Sequence, residues 1–324
     1  MSGGWKKHGK LVLLLLGVGL LVYSIHAAGP KNLLDVARQG LAYLPFIALF
    51  CGAFHLIESH AQRSMLGAEG RRIPLSAFAR ATMSSYVASV LLPLGRAGSE
   101  LVRIAAYAPW VGAGRATAAA STFQVANLLS TGMYGSLCYV IVGWSLGFDL
   151  VIAWVLLLHA VGSCLLAALI LLVLRRGALG GRVAKMFPSL GAGAEAFDES
   201  TALPLDTLVR ATGLCLLARS TEVALYAVVL LAVGVTPTLD RSVIAGAIHI
   251  VGATAGEAIP SQLGAVEGAF LYFSGALGLA SDRSRALVIP ILVRVAQFGL
   301  AALSLVILHF TTLGGTRSVL PRSP

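Results

Sequence analysis

The chain contains several runs of eighteen or more residues with few or no charges, and this feature constrains its fold most strongly. A helix rises 1.5 Å per residue, so about 20 apolar residues cross about 30 Å of hydrocarbon. Of the 324 residues, 57% are hydrophobic and 12% are charged, with a mean hydropathy of +0.85. An ordinary soluble domain carries about 25% charged residues. The sequence therefore excludes a water-soluble fold and predicts an all-α polytopic membrane protein.

About six full transmembrane helices are predicted, and the first has an alternative interpretation. The apolar run 11–28 follows three lysines, which suits either a signal peptide or a membrane helix. We favour the helix, because a cleavage site of small residues is poorly formed around residues 24–28. The predicted spans are 11–28, 41–57, 116–146, 150–174, 207–235 and 286–310.

Basic residues gather at alternate ends of these spans, and the positive-inside rule then places both termini in the cytoplasm, with the bacterial inner membrane as the expected location. The net charge of +10 fits cytoplasmic loops better than a nucleic-acid surface, so no nucleic-acid partner is expected. The polar connection 175–206 is interpreted as a cytoplasmic linker, too short for a catalytic domain. The basic clusters lie at 6–10, 63–72, 115, 175–185 and 317–322.

Two further stretches, 76–108 and 242–280, are apolar at their ends and broken in the middle by proline, glycine and charges. Proline removes a backbone donor and glycine loosens a helix, so neither stretch is expected to be one straight span. Each has about 16 to 20 residues on either side of its break, enough to reach the bilayer midplane and return. We interpret both as re-entrant broken helices. Two short full spans in each place is the competing interpretation.

The two breaks resemble each other. Residues 92–100 and 259–267 both read apolar-Pro-x6-Glu, ending at Glu100 and Glu267, and polar residues follow 27 positions later at Asn127 and Arg294. Each half then contains three crossings, so the second copy enters the membrane upside down as an inverted repeat. The first membrane repeat is assigned to 1–174. The second repeat starts within that range, at 150, and continues after the linker through 207–324.

Broken helices of an inverted repeat meet near the midplane and line a polar cavity there. An ionisable group at that depth costs about 2.5 to 3.5 kcal/mol unless it is paired or hydrated, so a group of them indicates a site or pathway. The ten predicted substrate-binding residues lie in or after the two breaks. They are Arg96, Glu100, Arg103, Gln124, Asn127, Glu257, Gln262, Glu267, Arg294 and Gln297.

The chemistry of these side chains suggests their roles. The arginines at 96, 103 and 294 offer planar forks suited to two-pronged binding of a phosphate. Glu100 and Glu267 could hold those arginines, bind a cationic headgroup or take up a proton. The alternative for Glu100 and Arg103, three residues apart on a helix, is a local pair that satisfies only itself.

Other polar residues within the spans are interpreted as structural. The four cysteines lie in apolar runs without metal-ligand spacing, so they are expected to be small packing residues, and no metal site is predicted. The remaining interpretations are a structural pair for Arg219 and Glu222, core histidines for His159 and His249, and a membrane-boundary position for His55, Glu58 and His60.

The only enzyme-like motif is Gly143-Trp144-Ser145-Leu146-Gly147, which matches the pattern of a hydrolase nucleophile elbow. That motif requires a strand-turn-helix in a soluble sheet, whereas this one closes a transmembrane helix at an interface. No catalytic residue, cofactor or metal is predicted, and the protein is expected not to be an enzyme.

At residues 91–103 and 259–268 the chain resembles the flippase-like transmembrane family of lysylphosphatidylglycerol synthases. The family shows a Pro, Gly-rich break with an acidic residue and arginine, then a Pro, Gly, Glu break followed by an arginine in a later span. The resemblance implies translocation of a lipid or lipid-linked substrate. The aminoacyl-transferase domain of the full synthase is not found here, and Gln124 and Asn127 stand where relatives often carry charges.

The sequence thus predicts a flippase-like membrane transporter that moves a lipid headgroup, with phosphate as its expected anion, through a midplane cavity. Its partners are the lipid substrate and the bilayer, and association into a homo-oligomer is left open. Two alternatives stay open: an intramembrane lipid-modifying enzyme, and a non-transporting scaffold for lipid biosynthesis.

Overall fold

The structure is a computed structural model that describes residues 30–92, 95–176, 191–201, 204–256 and 262–313, together with residues 19, 22, 23, 25, 26 and 259. These residues contain eleven α-helices and no strand, which confirms the all-α prediction. Most of the predicted first span, 11–28, lies outside the described residues.

Among the described residues, three connections between helices contain a 3-10 turn, at Leu41–Tyr43, Gly67–Arg72 and Ser274–Leu277. In chain order the helices are α1 (Pro30–Gly40), α2 (Leu44–Ser64), α3 (Leu75–Leu91), α4 (Gly95–Val111), α5 (Ala113–Leu146), α6 (Val151–Arg175), α7 (Gly191–Thr201), α8 (Leu205–Ala232), α9 (Leu239–Ala255), α10 (Ala265–Tyr272) and α11 (Arg283–Leu313).

Five segments among the described residues are long and apolar enough to cross a membrane: Leu33–Ser64, Ala113–Leu146, Val151–Arg175, Leu205–Ala232 and Arg283–Thr311. The chain is therefore an integral membrane protein. The last four of these confirm the predicted spans to within about three residues at each end. The predicted span 41–57 ends too early, because α2 continues for seven more residues to Ser64.

Both predicted broken segments are pairs of short helices. In the first, α3 and α4 have 17 residues each and pack against each other. Leu92 ends α3 in an extended conformation (φ −88°, ψ 140°), as expected for a residue before proline. In the second, α9 has 17 residues, α10 has 8, and the two also pack together. Helices of this length rise about 25 Å and 12 Å, less than the hydrocarbon thickness.

The helices of the two halves pack in a reciprocal pattern. α2 lies against α8 at the centre. α2 of the first half also contacts α11 of the second half. In the same way, α8 of the second half contacts α5 of the first half. Likewise α11 packs on α3, and α5 packs on α9. Each contact recurs when the elements of one half are exchanged for their counterparts in the other.

Small residues let the long helices approach closely, most clearly between α5 and α6. A Cβ added to Gly132 would collide with the Cys164 sulfur, and one added to Gly135 would press on Ala160. All four cysteines are free thiols and three are buried. The prediction that they are small packing residues is consistent with these contacts.

The connection predicted as a linker, 175–206, contains an ordered helix that the sequence analysis did not predict. α7 packs against α5, and its Phe197 joins an apolar cluster with Ala61, Phe123 and Leu208. A Cβ on Gly114 of α5 would collide with the Gly193 carbonyl group. This part of the connection is thus docked on the membrane helices.

Candidate functional site

α2 carries a stripe of buried polar residues. His55, Glu58, Ser59 and Gln62 follow at helical spacing, lie on one face, and are all buried. The structure buries His55 and Glu58 against other helices, and their position at the membrane boundary stays a prediction. His60 points away and is exposed.

A network of five side chains joins this stripe to the first hairpin, α3 and α4. Arg103 donates from Nε to the Ser85 hydroxyl at 3.0 Å and from Nη1 to the Gln62 oxygen at 2.9 Å. The same Nη1 donates to Glu100 Oε1 at 3.0 Å, and Gln62 Nε2 donates to Glu100 Oε2 at 2.7 Å. His55 Nε2 lies 3.1 Å from Arg103 Nη2 and 3.0 Å from Ser85 Oγ.

In this network the guanidinium group of Arg103, which was predicted to bind a phosphate, forms hydrogen bonds with other side chains of the protein. Arg103 is 1% exposed, and each of its three guanidinium nitrogens contacts a protein acceptor. Both oxygens of Glu100 accept hydrogen bonds. The arginine and glutamate form the local pair that the sequence analysis gave as an alternative, and the pair also fastens α4 to α2 and α3.

The second hairpin holds a different ion pair. Glu267 is fully buried, and its Oε1 accepts from Arg294 Nε at 2.9 Å and Nη2 at 2.8 Å. Its Oε2 accepts from the backbone N–H of Gly264 at 2.8 Å. Arg294 lies on α11 and its side chain is 18% exposed. This pair therefore joins the hairpin to the following long helix.

The local sequence explains this geometry. Gly264 has φ +80°, a conformation that residues with a Cβ rarely adopt, and it starts the eight-residue α10. Glu267 at the third helical position reaches back to the unpaired N–H at this helix start, as in a capping box. A carboxylate at a helix N-terminus is also favoured by the helix dipole.

A third ion pair lies at the junction of α2, α5 and α8. Arg219 Nη1 and Glu222 Oε2 are 3.1 Å apart, as the sequence analysis predicted for this pair. Arg219 also donates to the Thr131 hydroxyl at 3.0 Å and lies over the Phe54 ring, 5.3 Å from its centroid. The pair therefore connects three helices from both halves of the chain.

The remaining predicted site residues have mixed positions. Asn127 is buried on α5, and its Oδ1 has no hydrogen-bond partner among the described residues. Gln124, one turn before it, and Gln262, at φ +54° before α10, are partly exposed. The backbone oxygen of Gln297 accepts from the Tyr86 hydroxyl at 3.4 Å, which links α11 to α3. Glu257 and the side chain of Arg96 lie outside the described residues.

Sequence reasoning missed three members of the first network: His55, Gln62 and Ser85. A signal was present in the spacing of His55, Glu58, Ser59 and Gln62, which places polar groups on one helical face. Ser85 carried no such signal, since serine is common in membrane helices. The described residues contain no group of three or more His, Cys, Asp or Glu that could hold a metal ion.

Comparison with known proteins agrees with this architecture. Residues 9–304 match the model of the family described as Lysylphosphatidylglycerol synthase TM region. The chain matches no curated protein and no solved structure. Because the family match covers most of the chain, the protein belongs to the lysylphosphatidylglycerol synthase TM region family.

Proposed function

We propose that the protein is a flippase-like transporter that moves the headgroup of a lipid or lipid-linked substrate through a polar cavity between its two hairpins. The observation that carries the proposal is the Glu267–Arg294 ion pair, held at a break between two short helices inside a membrane domain. Charged groups inside a membrane domain are costly, and they commonly mark a substrate or ion pathway.

Arg294 is the described arginine best suited to take a phosphate oxygen. Its guanidinium group is oriented by Glu267, yet 18% of the side chain is exposed, whereas Arg103 is enclosed at 1%. A guanidinium that is already held in place loses less side-chain entropy when it binds an anion. Glu267 thus prepares Arg294 for a phosphate-bearing headgroup.

The reciprocal packing of the helices supports an inverted repeat as the framework of this transporter. We propose that α3–α4 and α9–α10 are re-entrant hairpins that approach from opposite sides of the bilayer, the first from the cytoplasmic side. Their short helices fit this arrangement, since neither pair has the length for two comfortable crossings. Alternating access would then follow from rocking of one half against the other.

The hydrocarbon chains of the substrate would stay in apolar surroundings. An apolar cavity of about 410 Å³ lies where the α5–α6 turn meets the end of α10, and Leu146, Val151, Tyr272 and Phe273 are among its lining residues. Tyr272 is five residues after Glu267 on the same short helix, about 8 Å along its axis. A chain in this cavity and a headgroup at Arg294 could therefore belong to one molecule.

The test is headgroup translocation in proteoliposomes, with fluorescent phospholipids and a labelled polyprenyl phosphate. We expect protein-dependent translocation that falls at least tenfold in Arg294→Gln, because the anion loses its paired donors. Arg285→Gln is the matched control, since Arg285 forms an exposed ion pair with Asp282 at the start of α11. Its translocation should equal that of the unchanged protein. Equal rates in all three proteins would overturn the proposed role of Arg294.

The same vesicles separate transport from the two alternatives. Mass spectrometry of the lipids before and after incubation should show no new lipid species if the protein is a transporter. A new species that forms only with the active protein would establish a lipid-modifying enzyme instead. Absence of both translocation and conversion across the lipid panel would favour a scaffold.

A further inference from the structure

His249 lies next to an aromatic contact that joins two ion-paired helices: Tyr226 is one turn after Glu222 on α8, and Phe270 is one turn after Glu267 on α10. His249 occupies the middle of α9, is partly exposed, and its ring is 5.8 Å from the ring of Tyr226 on α8. On its other side, Tyr226 contacts Phe270 of α10, with ring centroids 6.0 Å apart.

The charges around this imidazole come from both neighbouring ion pairs. His249 interacts electrostatically with Arg219 and Glu222 of one pair and with Glu267 and Arg294 of the other. Two carboxylates and two guanidinium groups balance when all are ionised. Any anion that joins this set leaves one negative charge uncompensated in a medium of low dielectric constant.

We propose that His249 is a proton-binding site linked to the anion site at Arg294, and that it takes up one proton from water when a phosphate headgroup binds there. This inference rests on the proposed function, because it needs an anion at Arg294. The negative phosphate stabilises the imidazolium form, and the imidazolium in turn stabilises the bound phosphate. Headgroup and proton then bind together, which makes transport sensitive to pH.

Two other titratable side chains, on α6 and α5, lie next to α9. On α6, His159 lies 3.3 Å from the Thr254 hydroxyl near the end of α9. On α5, the Tyr134 hydroxyl lies beside Gly246. The titratable and charged side chains that neighbour His249 or α9 from the packed elements are Arg219, Glu222 and Tyr226 on α8, Glu267 on α10, Arg294 on α11, Tyr134 on α5 and His159 on α6.

Calorimetry of headgroup binding tests the proposal on the full chain in detergent. The probe is dihexanoyl phosphatidylglycerol below its micelle concentration, because its phosphodiester carries one charge that does not titrate near neutral pH. Binding at pH 7.5 is measured in two buffers of different ionisation enthalpy, and the difference in heat gives the protons taken up. We expect about one proton per headgroup, and a Kd that weakens up to tenfold per pH unit above the imidazole transition.

Three variants make the result specific. His249→Gln should bind more weakly and take up no proton. His249→Lys, with a fixed charge, should bind without proton uptake and with a Kd that does not change with pH. His159→Gln, which changes the other partly buried histidine beside α9, should behave like the unchanged protein.

The outcomes separate this inference from the proposed function. Binding without proton uptake, or uptake that persists in His249→Gln, would overturn the role of His249 and leave the anion site intact. Absence of headgroup binding in the unchanged protein would overturn the anion site, and the proton site with it. Thermal unfolding of each variant identifies any loss that is due to misfolding.

Discussion

The two hairpins carry the same Pro-x6-Glu pattern but use their glutamates differently. In the first hairpin, Glu100 pairs with Arg103, one turn along the same helix, and both are tied to α2 and α3. In the second, Glu267 pairs with Arg294, which lies 27 residues later on α11. A repeated sequence pattern therefore places a buried carboxylate at both breaks. The position of the partner arginine determines which helices the ion pair connects.

The two ion pairs differ in the exposure of their arginines. The first ion pair is enclosed and fastens three helices together. The second joins a helix of only eight residues to α11, and its arginine is 18% exposed. We therefore propose a structural role for the α3–α4 hairpin and a headgroup-binding role for the α9–α10 hairpin. The following predictions test that division.

The largest loss of stability is expected for Arg103→Ala. The substitution leaves the Glu100 carboxylate buried without its charged partner and removes hydrogen bonds to Ser85 and Gln62. Breaking a buried ion pair in this way costs about 3 to 5 kcal/mol. Unfolding of the purified protein in detergent measures the effect. The double variant Glu100→Ala/Arg103→Ala should recover part of it, because no lone charge remains. A loss below 1 kcal/mol would contradict the framing role.

Glu267→Gln should cost less stability, about 1.5 to 3 kcal/mol, the range for hydrogen bonds to charged groups. Glutamine can still accept from the Gly264 N–H, and the Arg294 side chain is 18% exposed rather than enclosed. Translocation should nevertheless fall at least tenfold, because Arg294 is no longer held in position. Paired measurements of unfolding and of vesicle translocation provide the check. A loss of stability as large as that of Arg103→Ala, with translocation intact, would reverse the two assignments.

Alanine substitutions of glycine should affect the hairpins unequally. A Cβ at Gly252 on α9 would lie 2.7 Å from the Val266 Cα, so α9 and α10 would have to separate. A Cβ at Gly98 on α4 would meet only the Leu92 side chain, at 3.5 Å, an ordinary contact. We expect Gly252→Ala to cost about 1 to 3 kcal/mol and Gly98→Ala to be close to neutral. Thermal unfolding of both variants in one detergent is sufficient, and equal midpoints would contradict the close packing of the second hairpin.

The smallest effect is expected for Arg285→Ala. Arg285 and Asp282 are three residues apart, like Arg103 and Glu100, but their side chains are 42% and 40% exposed. Exposed pairs contribute about 0 to 1 kcal/mol, and salt weakens them further. Unfolding at low and high ionic strength should show a minor difference. A loss comparable to that of Arg103→Ala would mean that burial does not set the strength of these pairs.

Much of the fold was predictable because the length of an apolar run largely determines a membrane helix. The boundaries of α5, α6, α8 and α11 follow from such runs. α2 differs, because Glu58, Gln62 and Arg63 resemble the end of a span in the sequence. In the fold, Glu58 and Gln62 are buried against other helices, and Arg63 donates to the carbonyl groups of Gly70 and Ile73.

The site was predictable where two residues share a repeated spacing. The offset of 27 residues brought Glu267 and Arg294 into one predicted site, and the structure joins them in an ion pair. The same offset placed Asn127 with Glu100, yet Glu100 hydrogen-bonds Arg103 and Gln62. Gln62 lies 38 residues earlier on another helix, and only the folded structure reveals this partner. Sequence spacing cannot choose between such competing partners.

Side-specific cysteine labelling tests most directly whether the two hairpins reach one polar cavity from opposite sides. Leu92→Cys and Gln262→Cys mark the two breaks, in a background whose four native cysteines are replaced by alanine. In sealed vesicles of known orientation, a membrane-impermeant maleimide should label Leu92→Cys from one side only and Gln262→Cys from the other only. Labelling of both positions from the same side, or of neither from either side, would contradict the account.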